Sequence, residues 1–274
     1  MRGKRHLTVI VIVIAVVLCI IYSFFEPNWL SITHDTLSVN LPKEFEGFTV
    51  VFLSDTHVYN ERTLNRLAER VALVNAQSPD IILLGGDYLN NDAYAQATFK
   101  VLSELKAKQG IFAARGNHDK LQDSTDDVLL QYMREAGITP CLNTSFALEK
   151  NNARIYVAGI DDEANADIDA TFSGLTQDDF VLLLAHDPKA VKSVKKAGLD
   201  NLADLAFCGH THGGQITFFG VFGFLTDRWF TAYLSQWRPI GQINTLYSNG
   251  AGEWLPMRFF ARPQINVVTL KANG

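Results

Sequence analysis

The sequence predicts an α/β fold preceded by one N-terminal transmembrane helix. Strand-like and helix-like segments alternate from Thr49 to Ala114, the pattern of parallel β-α-β units. Short polar motifs follow apolar runs, so reactive side chains sit where buried strands surface into loops. An uncharged run of 19 residues, Leu7 to Phe25, lies near the N-terminus.

Taken in order, the apolar run comes first. At ~1.5 Å per residue a helix of this length reaches about 28 Å, close to the ~30 Å hydrocarbon core. A cleaved signal peptide is the alternative. Against it, the run exceeds a typical signal core, and Ile21 to Glu26 offers no pair of small residues for cleavage. Leu18 before Cys19 also argues against a lipoprotein site. Arg2, Lys4 and Arg5 precede the span, whereas Glu26, Asp35 and a single Lys43 follow it. That asymmetry keeps the N-terminus cytoplasmic and sends the rest across the cell membrane. The division expected is an anchor over 1–25, a linker over 26–42 and a catalytic domain over 43–274.

Within the domain the spacing predicts strands at Thr49–Leu53, Asp80–Leu84 and Ile111–Ala114. Helices are expected at Glu61–Gln77, Asp92–Lys108 and Thr125–Ala136. The pattern then changes to short strands at Thr144–Leu148, Arg154–Ala158, Phe180–Leu184 and Asp204–Phe207, with a helix near Pro188–Ala197. Strands at Gln215–Phe219, Thr245–Ser248 and Ile265–Leu270 close the chain. With 274 residues, 47% of them hydrophobic, it can bury one sizeable core. A formal net charge of −5 argues against nucleic acid as a partner, which calls for a basic face. Cys19, Cys141 and Cys208 show no C-x-x-C spacing and read as small hydrophobes. Asp80 and Asp204, each opening a strand, read as caps or turn residues.

Five motifs carry the chemistry: Ser54-Asp55-Thr56-His57, Gly85-Gly86-Asp87, Gly116-Asn117-His118-Asp119, Ala185-His186-Asp187 and Gly209-His210-Thr211-His212. Five of the seven histidines fall inside them. The i, i+2 spacing of Asp55/His57 and of His210/His212 puts each pair on one face of an extended segment. Any one histidine could be a hydrogen-bonded core residue. Carboxylates, an amide and imidazoles gathered in this way suit a pair of divalent cations, a device for hydrolysing phosphate esters.

At these residues the chain resembles the calcineurin-like metallophosphoesterases, and among them a small membrane-anchored bacterial branch that includes a phosphodiesterase and UDP-2,3-diacylglucosamine hydrolases. The resemblance runs from about Glu26 to Leu270 and is most specific at Gly209–Gln215 and at Leu255-Pro256-Met257-Arg258-Phe259-Phe260-Ala261-Arg262-Pro263. It implies a sandwich of two mixed β-sheets flanked by helices, with the metals at the strand ends. It further implies that Asp55, His57 and His212 hold one metal, that Asn117, His186 and His210 hold the other, and that Asp87 bridges them. A metal-bridging hydroxide would attack phosphorus, and His118 would protonate the leaving alkoxide. Such a ligand set favours Mn²⁺, Fe²⁺, Co²⁺ or Zn²⁺ over Mg²⁺ or Ca²⁺, with manganese the expectation.

One departure is informative. In the Ser/Thr protein phosphatases of this superfamily, the second motif continues to an Asp and a phosphate-binding Arg, where this chain has Asn90 and Asn91. Without that Arg a dianionic monoester loses a bidentate clamp, although Arg115 could compensate in part. The reading is therefore a membrane-anchored phosphodiesterase acting on a phosphodiester or pyrophosphate, in a lipid-linked or small-molecule substrate. A phosphatase of small soluble phosphomonoesters or nucleotides is the alternative, and a non-catalytic metal-binding scaffold a third. A cytosolic nucleotide-lipid such as UDP-2,3-diacylglucosamine conflicts with the outward topology. The uncharged run Phe218–Leu225 would be either an apolar surface beside the metals or a strand and turn in the core. The acidic tract Asp161–Asp169 reads as a solvated loop.

Overall fold

The computed structural model describes residues 2–120, 126–162, 165–218, 222–223 and 236–273. An apolar helix, α1 (Arg2–Phe25), leads through a 3-10 turn into β1 (Ser31–Val39). There follow β2 (Phe48–Leu53), α2 (Glu61–Ala76), β3 (Ile81–Leu84), α3 (Ala95–Leu102), β4 (Ile111–Ala113), α4 (Asp126–Glu135) and β5 (Thr139–Pro140). The second half comprises β6 (Thr144–Lys150), β7 (Ala153–Gly159), α5 (Ile168–Thr171), β8 (Val181–Leu184), α6 (Pro188–Lys196) and β9 (Leu205–Cys208). Last come β10 (Thr217–Phe218), β11 (Phe222–Gly223), β12 (Gln236–Ile240), β13 (Ile243–Tyr247) and β14 (Gln264–Ala272).

The strands build two six-stranded mixed sheets, ordered β1-β14-β2-β3-β4-β5 and β12-β13-β9-β8-β7-β6. Period-2 alternation assigns each side chain to a layer. Val50 and Phe52 of β2, with Ile81 and Leu83 of β3, face Leu182 and Leu184 of β8 and Leu205 and Phe207 of β9 across the sandwich. Val51, Leu53, Ile82 and Leu84 point the other way, against α2, α3 and α4. Val181, Leu183, Ala206 and Cys208 pack outwards under α6. Central strands covered on both faces explain why these segments are unbroken apolar runs rather than alternating ones. Asp80 and Asp204 act alike: each carboxylate accepts the amide of the neighbouring strand's start, Thr49 and Val181, at 2.8 Å.

Three expectations are corrected. The stretch 26–42, expected as a linker, contributes β1, which pairs in parallel with β14 through all nine of its residues. The edge position leaves β1 half-exposed, so its sequence lacks the apolar run of a central strand. The helix expected over Asp92–Lys108 stops at Leu102. Beyond it Asn75 bonds the Glu104 carbonyl and the Lys106 amide, at 2.8 and 2.7 Å, drawing the chain out of helical register. The acidic tract is not uniformly solvated, because Asp161 and Asp162 are buried and ion-paired to Arg115 and Lys120. Most of the run Phe218–Leu225 lies outside the described residues.

Candidate metal centre

All five motifs emerge at carboxyl ends of parallel strands: β2, β3 and β4 in one sheet, β8 and β9 in the other. Facing sheets thus deliver their loops to one edge of the sandwich. Each chain must turn sharply as it leaves its strand. Asp55, His57, Asp87, His210 and His212 all adopt the left-handed region, with φ between 44° and 65°. Non-glycine residues rarely sit there, and such strain persists where the surroundings over-determine it. Two glycines are dictated by crowding: a Cβ on Gly209 would collide with Ser54 and the Asp55 carboxylate, and one on Gly116 with that of Asp87.

The expected ligands meet in two groups. Asp55, His57 and His212 place ligand atoms within 4.8 Å of one another, and so do Asp87, His186 and His210. Asn117 joins the second group, its Oδ1 lying 3.1 Å from His186 Nε2 and 2.9 Å from His210 Nδ1. Asp87 stands between the groups, its Oδ2 3.3 Å from His186 Nε2 and 3.6 Å from His57 Nε2.

Hydrogen bonds around the rim settle which ring nitrogens point inward. His186 Nδ1–H donates to the Gly85 carbonyl at 2.8 Å, leaving Nε2 for the centre. His57 Nδ1–H donates to Asn90 Oδ1 at 2.8 Å, with the same consequence. The inward nitrogens converge within hydrogen-bonding distance of one another. His57 Nε2 meets His212 Nε2 at 3.0 Å, and His186 Nε2 meets His210 Nδ1 at 3.1 Å. Imidazole nitrogens converging in two clusters, with carboxylates between, are a donor set that fits a pair of divalent cations once the rings are deprotonated.

The electrostatics agree with that fit. Burial, reinforced by neighbouring His57, holds the His212 imidazole well below its ordinary range, and burial also lowers that of His57. Burial opposes charge on His186, yet the Asp87 carboxylate outweighs it and pushes this imidazole up to about 10. Asp87 is correspondingly held below the usual carboxylate range against its own burial, by His186 and His57.

His118 faces the same space. Its amide donates to Asp87 Oδ1 at 2.8 Å, and its ring stands edge-on to His57 with centroids 5.3 Å apart. A cleft of about 150 Å³ opens there, lined by Asp87, His118, His210, Thr211, His212, Gln215 and Trp254. Arg115 does not line it, being held in a buried bidentate pair with Asp161 at 2.9 and 2.5 Å.

Several contributors were not assigned from the sequence. Asn90 orients the His57 ring. Asp119 accepts the amides of Asp87, Tyr88 and Gly116 at 2.7, 2.7 and 2.8 Å, lashing the second motif to the third. Its own burial, with the Asp87 charge adding to it, pushes the carboxyl up to about 7. Arg258 is fully buried and donates to the carbonyls of Asn249, Gly252, Ala261 and His212, gathering the loops behind the centre. Its one legible signal was a cation inside an otherwise apolar stretch.

The family model for calcineurin-like phosphoesterases matches residues 48–214, and the chain belongs to that family of metal-dependent phosphoester hydrolases. It is 33% identical over 261 residues to the uncharacterized metallophosphoesterase YkuE of Bacillus subtilis, across 92% of this chain and 89% of that one. It is 29% identical over 260 residues to the phosphodiesterase YaeI of Escherichia coli, across 90% of each. Among solved structures, TT1561 of Thermus thermophilus shares the fold with a TM-score of 0.50 at 14% identity, covering 76% of this chain and 91% of that one.

Proposed function

We propose that the chain is a membrane-anchored, dimetal phosphodiesterase. Asp55, His57 and His212 hold one ion, Asn117, His186 and His210 hold the other, and Asp87 is shared. The position of the Asp87 carboxylate between the two groups carries this reading. Two divalent ions, manganese by ligand type, would acidify an attacking water and neutralise charge on the phosphate's non-bridging oxygens. Asp55 and Asp87 leave about two net positive charges against two dications, which suits an anionic ester.

The chain's own groups do the rest. His118 protonates the leaving alkoxide from the cleft side of Asp87. Asp119 and Asn90 fix the loops and the His57 tautomer. Among the described residues, those lining the cleft include no arginine or lysine. A monoester dianion therefore finds no bidentate clamp among them, and a diester, with one charge less, needs none. The similarity to the phosphodiesterase YaeI points the same way. α1 has the length and composition to cross a membrane. We read residues 1–25 as an uncleaved anchor, with the enzymatic domain outside the cytoplasm on the charge asymmetry, and the substrate as a phosphodiester or pyrophosphate at the bilayer.

With Mn²⁺ bound, kcat/KM should be higher for bis(p-nitrophenyl) phosphate than for p-nitrophenyl phosphate. A clear preference for the monoester would overturn the diesterase reading. His118→Asn should slow esters with poor leaving groups by roughly 10²–10⁴-fold and p-nitrophenolate esters far less. An equal loss on both would assign His118 to binding instead.

A further inference from the structure

We propose that α1 is part of the substrate site: an apolar groove between this helix and the closing segment takes one acyl chain of a lipid whose phosphoester reaches the metal cleft. The inference rests on the membrane-anchored phosphodiesterase reading and gives its substrate a chemical class.

The helix is not a loose tether. Cys19, Tyr22 and Ser23 of α1, with Glu26 just after it, recur at helical spacing and form the side turned towards the domain, while the other side chains from Lys4 to Phe25 are exposed. Three contacts fix that side. The Ser23 carbonyl accepts the Arg258 amide at 2.9 Å. The fully buried Glu26 carboxylate accepts the amides of Phe260 and Ala261, both at 2.7 Å. The Tyr22 ring packs on Trp29, Phe259 and Phe260, with centroids 5.5, 5.6 and 5.5 Å away. The same Arg258 whose amide meets α1 gathers the loops behind the metal ligands.

Towards the N-terminus from this junction runs a groove of about 500 Å³. One wall is the continuing stripe of α1, from Ile12 through Val16 and Cys19 to Ser23; the other is Ile216, Met257 and Phe259. Its α1 wall belongs to the uncharged run, so it lies at hydrocarbon depth when the helix spans a bilayer. Water has no hydrogen-bonding partners at such a surface, and the material available to fill it is an acyl chain.

The groove and the metal cleft are lined by consecutive residues. Gln215 lines the cleft, and the next residue, Ile216, lines the groove. Gln215 takes a left-handed φ of 45°, which turns consecutive side chains to different sides. Its amide donates to the Leu255 and Met257 carbonyls at 2.9 and 3.1 Å, so the partition is braced from the closing segment. Trp29, Trp254 and Phe260 are exposed on these same segments, and large exposed rings of this kind suit a membrane interface. A lipid with its chain in the groove brings its phosphate towards the cleft mouth.

The test uses the full chain, loaded with Mn²⁺ in phosphatidylcholine vesicles, and two synthetic diesters, hexadecyl p-nitrophenyl phosphate and methyl p-nitrophenyl phosphate. The hexadecyl ester should be preferred in kcat/KM by about tenfold or more, as burying even a few methylenes implies. Ala15→Trp, which fills the groove, should bring the ratio close to one, whereas Ile14→Trp on the opposite face should preserve it. A ratio near one in the unaltered protein, or one that survives Ala15→Trp, overturns the groove. Failure on both diesters with activity on a monoester would overturn the diesterase reading instead. The groove is then judged by binding alone. A diazirine-bearing hexadecyl methyl phosphate should label Ile216 or Met257, and unlabelled hexadecyl methyl phosphate should compete while excess phosphatidylcholine does not. Labelling that phosphatidylcholine suppresses, or that falls on the outward side of α1 only, would mean ordinary bilayer lipid and overturn the proposal.

Discussion

The two halves of the candidate metal centre are built from similar residues but differ in how far they are removed from water. Asp55, His57 and His212 are all buried. In the other half His210 keeps 34% of its side chain exposed, and Asn117 is exposed. The difference follows from the fold. Asp55 and His57 leave β2, a central strand, and are roofed by the loop after β13, whose Gly250 lies against Asp55. Asn117 leaves β4, nearer the edge of the same sheet, and is exposed. On the dimetal reading, the more buried half would hold its ion the more tightly and the other would be the more open to water, with Asp87 between them.

The largest expected effect removes that coupling. Asp87→Ala should cost at least roughly 10²–10³-fold in kcat, the scale for losing one charge-stabilising group, and should lower bound metal while the fold persists. Elemental analysis finding two ions in an active variant would break the comparison. A smaller effect concerns protons. Burial keeps the His57 and His212 imidazoles neutral at neutral pH, so protons compete for the buried half only in acid. His186 is pushed up to about 10 and must lose its proton to bind, so affinity in the open half should rise with pH up to that value. One proton released per ion makes this about tenfold per pH unit. Manganese titrations in buffers of different ionisation enthalpy count the proton; equal release from both halves would remove the distinction.

How far the sequence disclosed this arrangement depends on the range of the contacts. The candidate ligands were legible because each follows a predominantly apolar strand, and one strand and its exit fit within a short window. The helix at Glu61 was equally visible, since Asn60 and Thr63 form a reciprocal cap within four residues. What escaped depended on partners far along the chain. Asn90 works through His57, 33 residues earlier, and Asp119 through Asp87, 32 residues earlier. Arg115 looked available for phosphate until Asp161, 46 residues on, was seen to occupy it. Edge strands were hard for a different reason. β1 is only half-buried, and β12 carries Pro239 within the strand, which an edge position tolerates. The role of Glu26 was likewise hidden, because its amide partners lie more than 230 residues away.

Anomalous diffraction from crystals of the full chain soaked in Mn²⁺ tests the shared-carboxylate centre most directly. Two peaks should lie about 3.5–4 Å apart at the mouth of the sandwich, the usual separation for a two-metal hydrolase. One should contact Asp55, His57 and His212, the other Asn117, His186 and His210, and both should contact Asp87. A single peak, or two peaks that leave the Asp87 carboxylate on one ion alone, would contradict the account.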